Sequence, residues 1–453
     1  MGTITLRQAA QWCGGQVEEK YADITFFGAN NDSRKIEPGQ LFVALQAERD
    51  GHDFIPAALG NGAAAVLCSR KVGDHPAIVV EDPRKALGDI ARGERQRIGM
   101  KVVAVTGSVG KSTTKEMISM VLSGTWRVSK TPANHNNDIG MPMAILGMSE
   151  DTQVAVLEMG MNHFREIAYL ASIGQPDVAV ISNIGTMHIE HLGSQEGILK
   201  AKLEILEGMK AGGKVILNGD DALLWNVRNH PGVDIEYFGI QNPDCDHRGL
   251  DVVENQGMLG FRVKCGDRIF PVELSLEGIH YVIDALAAIG VGLALDVSVE
   301  EICHRLAGFR NMAGRQEIFE AKGCTVIKDC YNAGPESMAA ALAVLGNRTG
   351  RRVAVLGDML ELGVCAPAEH YRVGRIAAEK ADVVLAYGPN ADRVVSGAVT
   401  GGMDPNLARD FGDREEIVAA MKRMIKPGDV ILVKGSHGMR MELILEQFLK
   451  EET

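Results

Sequence analysis

The chain is patterned as short apolar runs separated by longer segments whose apolar residues recur at helical spacing. From Met1 to about Ile98, runs punctuated by turn residues, such as DSRKIEPGQLFVAL and GNGAAAVLCSR, lead into the charged helical segment ALGDIARGERQRIG. This predicts a small α/β domain. At Lys101 the run VVAVTG opens a longer alternation, in which VAVLEMG, DVAVISNIG and KVILNGD are spaced by helical patterns. Such an alternation predicts a parallel sheet covered by helices. A second alternation follows Arg315, with strands at TVIKDCYNAG, RRVAVLGDM, DVVLAYG and DVILVKGS and helices at ESMAAALAVLG and EHYRVGRIAAEKA. It predicts a Rossmann-like domain. The polar, Gly-containing stretch GFRNMAGR reads as the hinge before it. The expectation is an α/β chain of three domains, residues 1–98, 99–312 and 313–453, without internal repeats.

Composition narrows the class. At 453 residues, with 46% hydrophobic residues, 52 glycines and only 5% aromatics, the chain has the make-up of a Gly-rich α/β enzyme. A formal charge of −12 without a run of five like charges excludes a nucleic-acid stripe or a polybasic membrane patch, so any phosphate must be held locally. No stretch reaches the roughly 20 apolar residues that span a bilayer, and MGTITLRQAAQWCGG lacks the apolar core of a signal peptide. The eight cysteines include no CxxC pair, which fits reduced thiols. A cytoplasmic location is expected, with no nucleic-acid partner and no membrane insertion. Any metal should sit on oxygen and nitrogen ligands.

The sharpest local signal is Val105-Thr106-Gly107-Ser108-Val109-Gly110-Lys111-Ser112-Thr113, directly after an apolar strand and opening the helical pattern KEMISMVLSG. Gly107 and Gly110 allow backbone N–H groups to crowd around phosphate oxygens, and the helix N-terminus adds partial positive charge. Lys111 reaches the terminal phosphates and Ser112 ligates Mg²⁺. Val105 stands where the common Walker pattern has its first glycine. A switch GTPase would also need an Asn-Lys-x-Asp element, and no Asn in the chain is followed by Lys.

The form TGSVGKST, without the first Walker glycine, resembles the ATP loop of the Mur ligases, which join a carboxylate to an amine. The resemblance extends through Asp32-Ser33-Arg34, Asn134-His135-Asn136-Asn137-Asp138-Ile139-Gly140-Met141-Pro142, Glu158-Met159-Gly160, Asp329-Cys330-Tyr331-Asn332-Ala333, Gly357-Asp358-Met359 and Lys434-Gly435-Ser436, and so covers nearly the whole chain. It implies an ATP-dependent ligase that adds D-alanyl-D-alanine to a UDP-N-acetylmuramoyl tripeptide through an acyl phosphate, working as a monomer. The implied domains are a small α/β UDP-substrate domain, a central phosphate-loop parallel-sheet domain and a C-terminal Rossmann-like domain.

The resemblance also implies residue roles. ATP would be held by Thr106 to Thr113 and, from the third domain, by Arg315, Asp329 and Asn332. Two Mg²⁺ ions would be held by Ser112, Glu158, His188 and Lys202, the last as a carbamate, since an ammonium cannot bind a cation but a carbamate offers two anionic oxygens. Lys111, Glu158, His188 and Lys202 would be the catalytic set. Ser33, Arg34, Asn134 and Asn137 would contact the UDP-linked substrate, and Lys434 and Ser436 would face the acceptor. The chain departs from the family pattern at Ala133 and Arg165, both in place of Gly, at Lys328 and Gly334, and at Tyr281 and Asp284, in place of two asparagines at the edge of the adenine pocket. Two other readings stay open: a ligase of the same superfamily with another acceptor, and a nucleotide-binding homologue without catalysis.

Overall fold

The computed structural model describes residues 3–450 except 72, 229–231 and 256; residues 1–2 and 451–453, at the outer ends of the expected first and third domains, lie outside it. Its centre is a nine-stranded sheet. Strands Lys101–Thr106, Val154–Glu158, Val178–Ile181 and Gly213–Asn218 are rich in Val, Ile and Leu and buried along nearly their full length. Only a sheet covered on both faces satisfies such strands, and they pair in parallel. Lys101–Thr106 lies between Val154–Glu158 and Val178–Ile181, and the chain later extends the sheet in both directions from it. That is a topological switch point, the crevice where open α/β sheets place ligands.

The sheet is not parallel throughout. Beyond Val233–Gly239, the strands His247–Asn255, Met258–Cys265 and Arg268–Leu274 run as an antiparallel meander. Here every second residue is buried, Leu259, Phe261 and Val263 on one strand and Phe270, Val272 and Leu274 on the next. This period of two marks a half-covered edge, whereas the continuous apolar runs mark the sheet's interior.

The first domain carries a five-stranded sheet, parallel except for Gln16–Val17. Its helix Pro83–Ile98 buries Leu87, Ile90 and Ala91 in a core shared with Val102, Ala104 and Leu157 of the central sheet. The expected charged helix is thus the splint between two domains. The third domain is a six-stranded sheet, parallel apart from the hairpin Glu317–Ala321 and Cys324–Asp329. Asp329 and Lys434 are register partners at the ends of adjacent strands, facing the central domain's phosphate loop.

Ala133 and Arg165 both adopt the left-handed backbone region, with φ of 43° and 72°. The chain therefore keeps, at both departures from glycine, the conformation that glycine suits best. Ala133→Gly should relieve this strain and stabilise the central domain by about 1 kcal/mol, raising its unfolding midpoint by roughly 2–4 °C in scanning calorimetry. A lowered midpoint would show that the left-handed turn is not strained.

Candidate active site

The buried strand Lys101–Thr106 delivers the chain into a loop that only glycine permits. A Cβ on Gly107 would lie 1.9 Å from Ser182 Oγ, and Gly110 sits at φ 82°. Helix Lys111–Leu122 then starts with no side chain capping its first N–H groups, which leaves them for an anion. The next strand fixes the loop's shape. Asn183 Oδ1 accepts the N–H of Ser108 at 3.0 Å and of Val109 at 2.9 Å, and its Nδ2 donates to Val109 O at 3.0 Å. Ser182 Oγ donates to the same carbonyl at 2.7 Å, and Gly185 N–H donates to Ser108 Oγ at 2.8 Å. Thr106 is fully buried behind the loop.

Around this loop a cavity of about 570 Å³ opens between the central and third domains. Residues Ser108 to Thr113, Asn137, Glu158 and His188 line it from one side, and Arg315, Asp329, Asn332 and Lys434 from the other. One relay joins the two sides at the loop, and Thr186 Oγ1 also donates across to Glu336 Oε1 at 3.3 Å. Arg315 Nη2 donates to Ser112 Oγ at 2.7 Å, Ser112 Oγ donates to Glu158 Oε2 at 2.8 Å, and Asn136 Nδ2 donates to Glu158 Oε1 at 2.9 Å. Arg315 also lies over the Tyr331 ring at 4.0 Å, a cation–π contact that aims the guanidinium. Lys434 Nζ donates to Asp329 Oδ2 at 2.6 Å and to Asn332 O at 3.0 Å. His188, itself at φ 65°, places Nδ1 2.7 Å from Glu361 Oε2 of the third domain.

Lys111 is half-buried in the cavity lining, whereas Lys115 and Lys202 are buried and do not line the cavity. Lys111 Nζ folds back to Gly107 O at 2.8 Å, and burial lowers its pKa while Glu158 opposes the shift. Lys115 Nζ donates to Thr131 O at 2.8 Å and lies 3.7 Å from Glu158 Oε2. Lys202, 2% exposed, is pushed well below the usual lysine range by burial and then by the charge of Lys111. No carboxylate pairs with Lys202 among the described residues. Lys200, by contrast, is exposed and lies 5.9 Å from the Phe164 ring.

Other expected residues fall elsewhere. Ser33 and Arg34 line a second cavity of about 980 Å³ between the first and central domains, with Lys35, Arg49 and Lys130. Asp32 accepts both Arg34 Nε and Nη2 at 2.9 Å. Asn137 Oδ1 accepts the N–H of Gly140 at 2.8 Å at the start of helix Gly140–Leu146. Asn134 is exposed and lines neither cavity, and its neighbour Asn136 makes the contact to Glu158. Ser436 is buried, accepting Leu360 N–H at 2.9 Å and donating to Ala333 O at 3.2 Å, so it braces the loop and does not reach the cavity. Asn136, Asn183 and Lys115 were not singled out from the sequence. Their roles depend on partners tens of residues away.

Among the described residues no three His, Cys, Asp or Glu side chains close on a common point. The donors present are the Ser112 hydroxyl, the Glu158 carboxylate and the His188 ring. Hard oxygen beside a phosphate loop fits Mg²⁺, and the set is short of anionic oxygen near Lys202.

Comparison with known proteins agrees with this geometry. Residues 24–95 match the Mur ligase family catalytic domain, 105–292 the Mur ligase middle domain, and 314–437 the Mur ligase glutamate ligase domain. A UDP-N-acetylmuramoyl-tripeptide–D-alanyl-D-alanine ligase of Bacillus subtilis is 36% identical, over 98% of both chains. The crystal structure of MurF from Acinetobacter baumannii superposes with a TM-score of 0.93 at 32% identity over all of both chains. MurF from Thermotoga maritima, solved in complex with ADP, does so at 0.84 and 32% identity over 94% of this chain and 97% of that one. No helix among the described residues is long and apolar enough to cross a membrane. The chain belongs to the Mur ligase family, and within it aligns along its whole length with ligases named for adding D-alanyl-D-alanine.

Proposed function

We propose that this protein is an ATP-dependent ligase that joins D-alanyl-D-alanine to the terminal carboxylate of a UDP-N-acetylmuramoyl tripeptide, a cytoplasmic step of peptidoglycan precursor synthesis carried out by the monomer. The observation that carries this reading is the relay from Arg315 through Ser112 to Glu158 across the cavity, which ties the third domain to the phosphate loop. It is the contact a nucleotide between two domains would replace or strengthen.

In this reading the loop from Thr106 to Thr113 cradles the phosphates with the backbone N–H groups at the helix start that Asn183 leaves free, and Lys111 turns from the Gly107 and Ser108 carbonyls to the terminal phosphoryl group. Arg315 adds a second positive group there, while Asp329 and Asn332 hold the nucleoside side. Ser112, Glu158, His188 and a carbamylated Lys202 would hold two Mg²⁺ ions, which when bound neutralise charge between the phosphates and the incoming carboxylate. The chemistry of Lys202 supports the carbamate: burial keeps the amine neutral enough to take up CO₂, and the product is an anion beside the cationic Lys111.

The substrate carboxylate attacks the γ-phosphorus and the bond to ADP breaks, giving an acyl phosphate. The dipeptide amine then attacks the acyl carbon, inorganic phosphate leaves, and the amine loses a proton. No protein nucleophile is required; orientation and water exclusion between closing domains supply the catalysis. The second cavity, with Arg34, Lys35, Arg49 and Lys130 against Asp32, suits the diphosphate of the UDP group. Ser33 would contact the same substrate, Asn137 the approach from the first cavity, and Lys434 the acceptor side. Asn134 and Ser436 would act through the segments they belong to, since neither lines a cavity.

Purified protein with ATP, magnesium and UDP-N-acetylmuramoyl tripeptide should release ADP in proportion to added D-alanyl-D-alanine. Release with no dipeptide dependence would point to another acceptor. Lys111→Ala should lower this rate on the order of 10²- to 10³-fold, as expected for loss of a charge aimed at the developing transition state. A near-wild-type rate would remove Lys111 from the mechanism.

Arg34→Ala should raise KM for the UDP-linked substrate roughly tenfold while leaving KM for ATP and kcat little changed, because the group touches a part of the substrate remote from the reacting carboxylate. An effect on kcat alone would place Arg34 outside the binding site.

A further inference from the structure

Asp284, expected from the family resemblance at the edge of the adenine pocket, is a carboxyl group set against the phosphate loop. It lies on helix His280–Ala294, is 6% exposed, and accepts the Thr114 hydroxyl on Oδ1 at 2.7 Å. A Cβ built on Gly110 would sit 2.8 Å from the same oxygen, so the carboxyl abuts the turn where helix Lys111–Leu122 begins. That helix start is uncapped and carries the partial positive charge a phosphate would use. The charged and titratable groups that interact with Asp284 are Arg315, from the hinge, and Tyr281, from its own helix, and the shared cavity is also lined by Lys111, Glu158, His188, Asp329 and Lys434. No direct cationic partner holds Asp284 as a carboxylate among the described residues.

An ionised Asp284 would place a negative charge beside the helix start that receives a polyphosphate, in a buried setting where water screens it poorly. In the neutral form it keeps its bond from Thr114 and adds no repulsion. We propose that Asp284 must be protonated for tight nucleotide binding at this loop, so that binding takes up a proton and affinity falls as pH rises. The proposal rests on the reading that phosphates occupy this loop. Burial pushes the carboxyl up to about 7, against the Thr114 hydrogen bond and the charge of Arg315, which puts the transition within the working range of pH.

The sign follows from the direction of the shift. Below about pH 7 the carboxyl is neutral and the site competent; above it the competent fraction falls tenfold per pH unit. The affinity for ADP with excess magnesium should therefore drop roughly tenfold from about pH 6 to about pH 8 in the wild type, relative to Asp284→Asn, whose amide is neutral throughout. Calorimetric titration of the full-length protein near pH 8, in two buffers of different ionisation enthalpy, should show the wild type taking up about 0.9 proton per ADP more than Asp284→Asn. Equal proton uptake and parallel pH profiles in two proteins that both bind ADP would overturn the proposal while leaving the nucleotide site intact. Failure of both to bind would overturn the nucleotide reading and the proposal together. Asp284→Ala, also neutral throughout, is the second reference if Asp284→Asn folds poorly, and proton uptake equal to that of the wild type in a variant that binds ADP overturns the proposal.

Discussion

Two lysines, one buried and one half-buried, with too little negative charge between them set the terms of this site. Lys202 is out of water and Lys111 partly so, and the charge of Lys111 depresses the pKa of Lys202. Glu158 is the carboxylate that faces Lys111, and it already accepts hydrogen bonds from Ser112 and Asn136 while Lys115 stands 3.7 Å away. Buried like charges are tolerated only when a counter-charge arrives or a proton leaves. In the proposed reading, a polyphosphate at the loop and a carbamate on Lys202 would supply the missing charge from two directions, one as substrate and one as modification. Asp284, on the far side of Gly110, follows the same electrostatic logic with opposite sign.

The fold supplies that concentration of charge by bringing chain ends together. Glu158 closes one strand of the central sheet, and Thr106 ends the strand beside it. The loop after Val178–Ile181, with Asn183 and His188, completes that edge. The third domain presents the ends of its own adjacent strands, Asp329 and Lys434, to the same cavity. The contacts that bridge the halves include Arg315 to Ser112, Glu361 to His188 and Thr186 to Glu336. The first two involve groups expected to hold phosphate or metal, so a closure of the domains would also assemble the site, a coupling common where a reactive intermediate must be kept from water.

The sequence made some of this legible for definite physical reasons. A phosphate loop needs glycine at fixed places between a strand and a helix, and that demand is local, so Gly107 to Thr113 could be read directly. The continuous apolar strands and the interdomain helix ending at Ile98 were likewise visible in their periodicity. The antiparallel meander from His247 to Leu274 was passed over, although its alternation of buried and exposed residues is written in FRVKCGDRIFPVEL. Amide contacts were not legible at all. Asn183 shapes the loop from 75 residues away and Asn136 reaches Glu158 across 22, and nothing in a neighbouring residue marks either. The family resemblance implied Lys202; its burial, beside the exposure of its neighbour Lys200, gives that a physical basis.

The decisive measurement is whether Lys202 carries a carbamate. Nuclear magnetic resonance of the full-length protein equilibrated with isotopically labelled bicarbonate should give a carbamate carbon signal in the wild type and in Lys200→Ala, and none in Lys202→Ala. A signal that survives in Lys202→Ala, or its absence from the wild type, would contradict the idea that an anion made on this lysine completes the charge of the site.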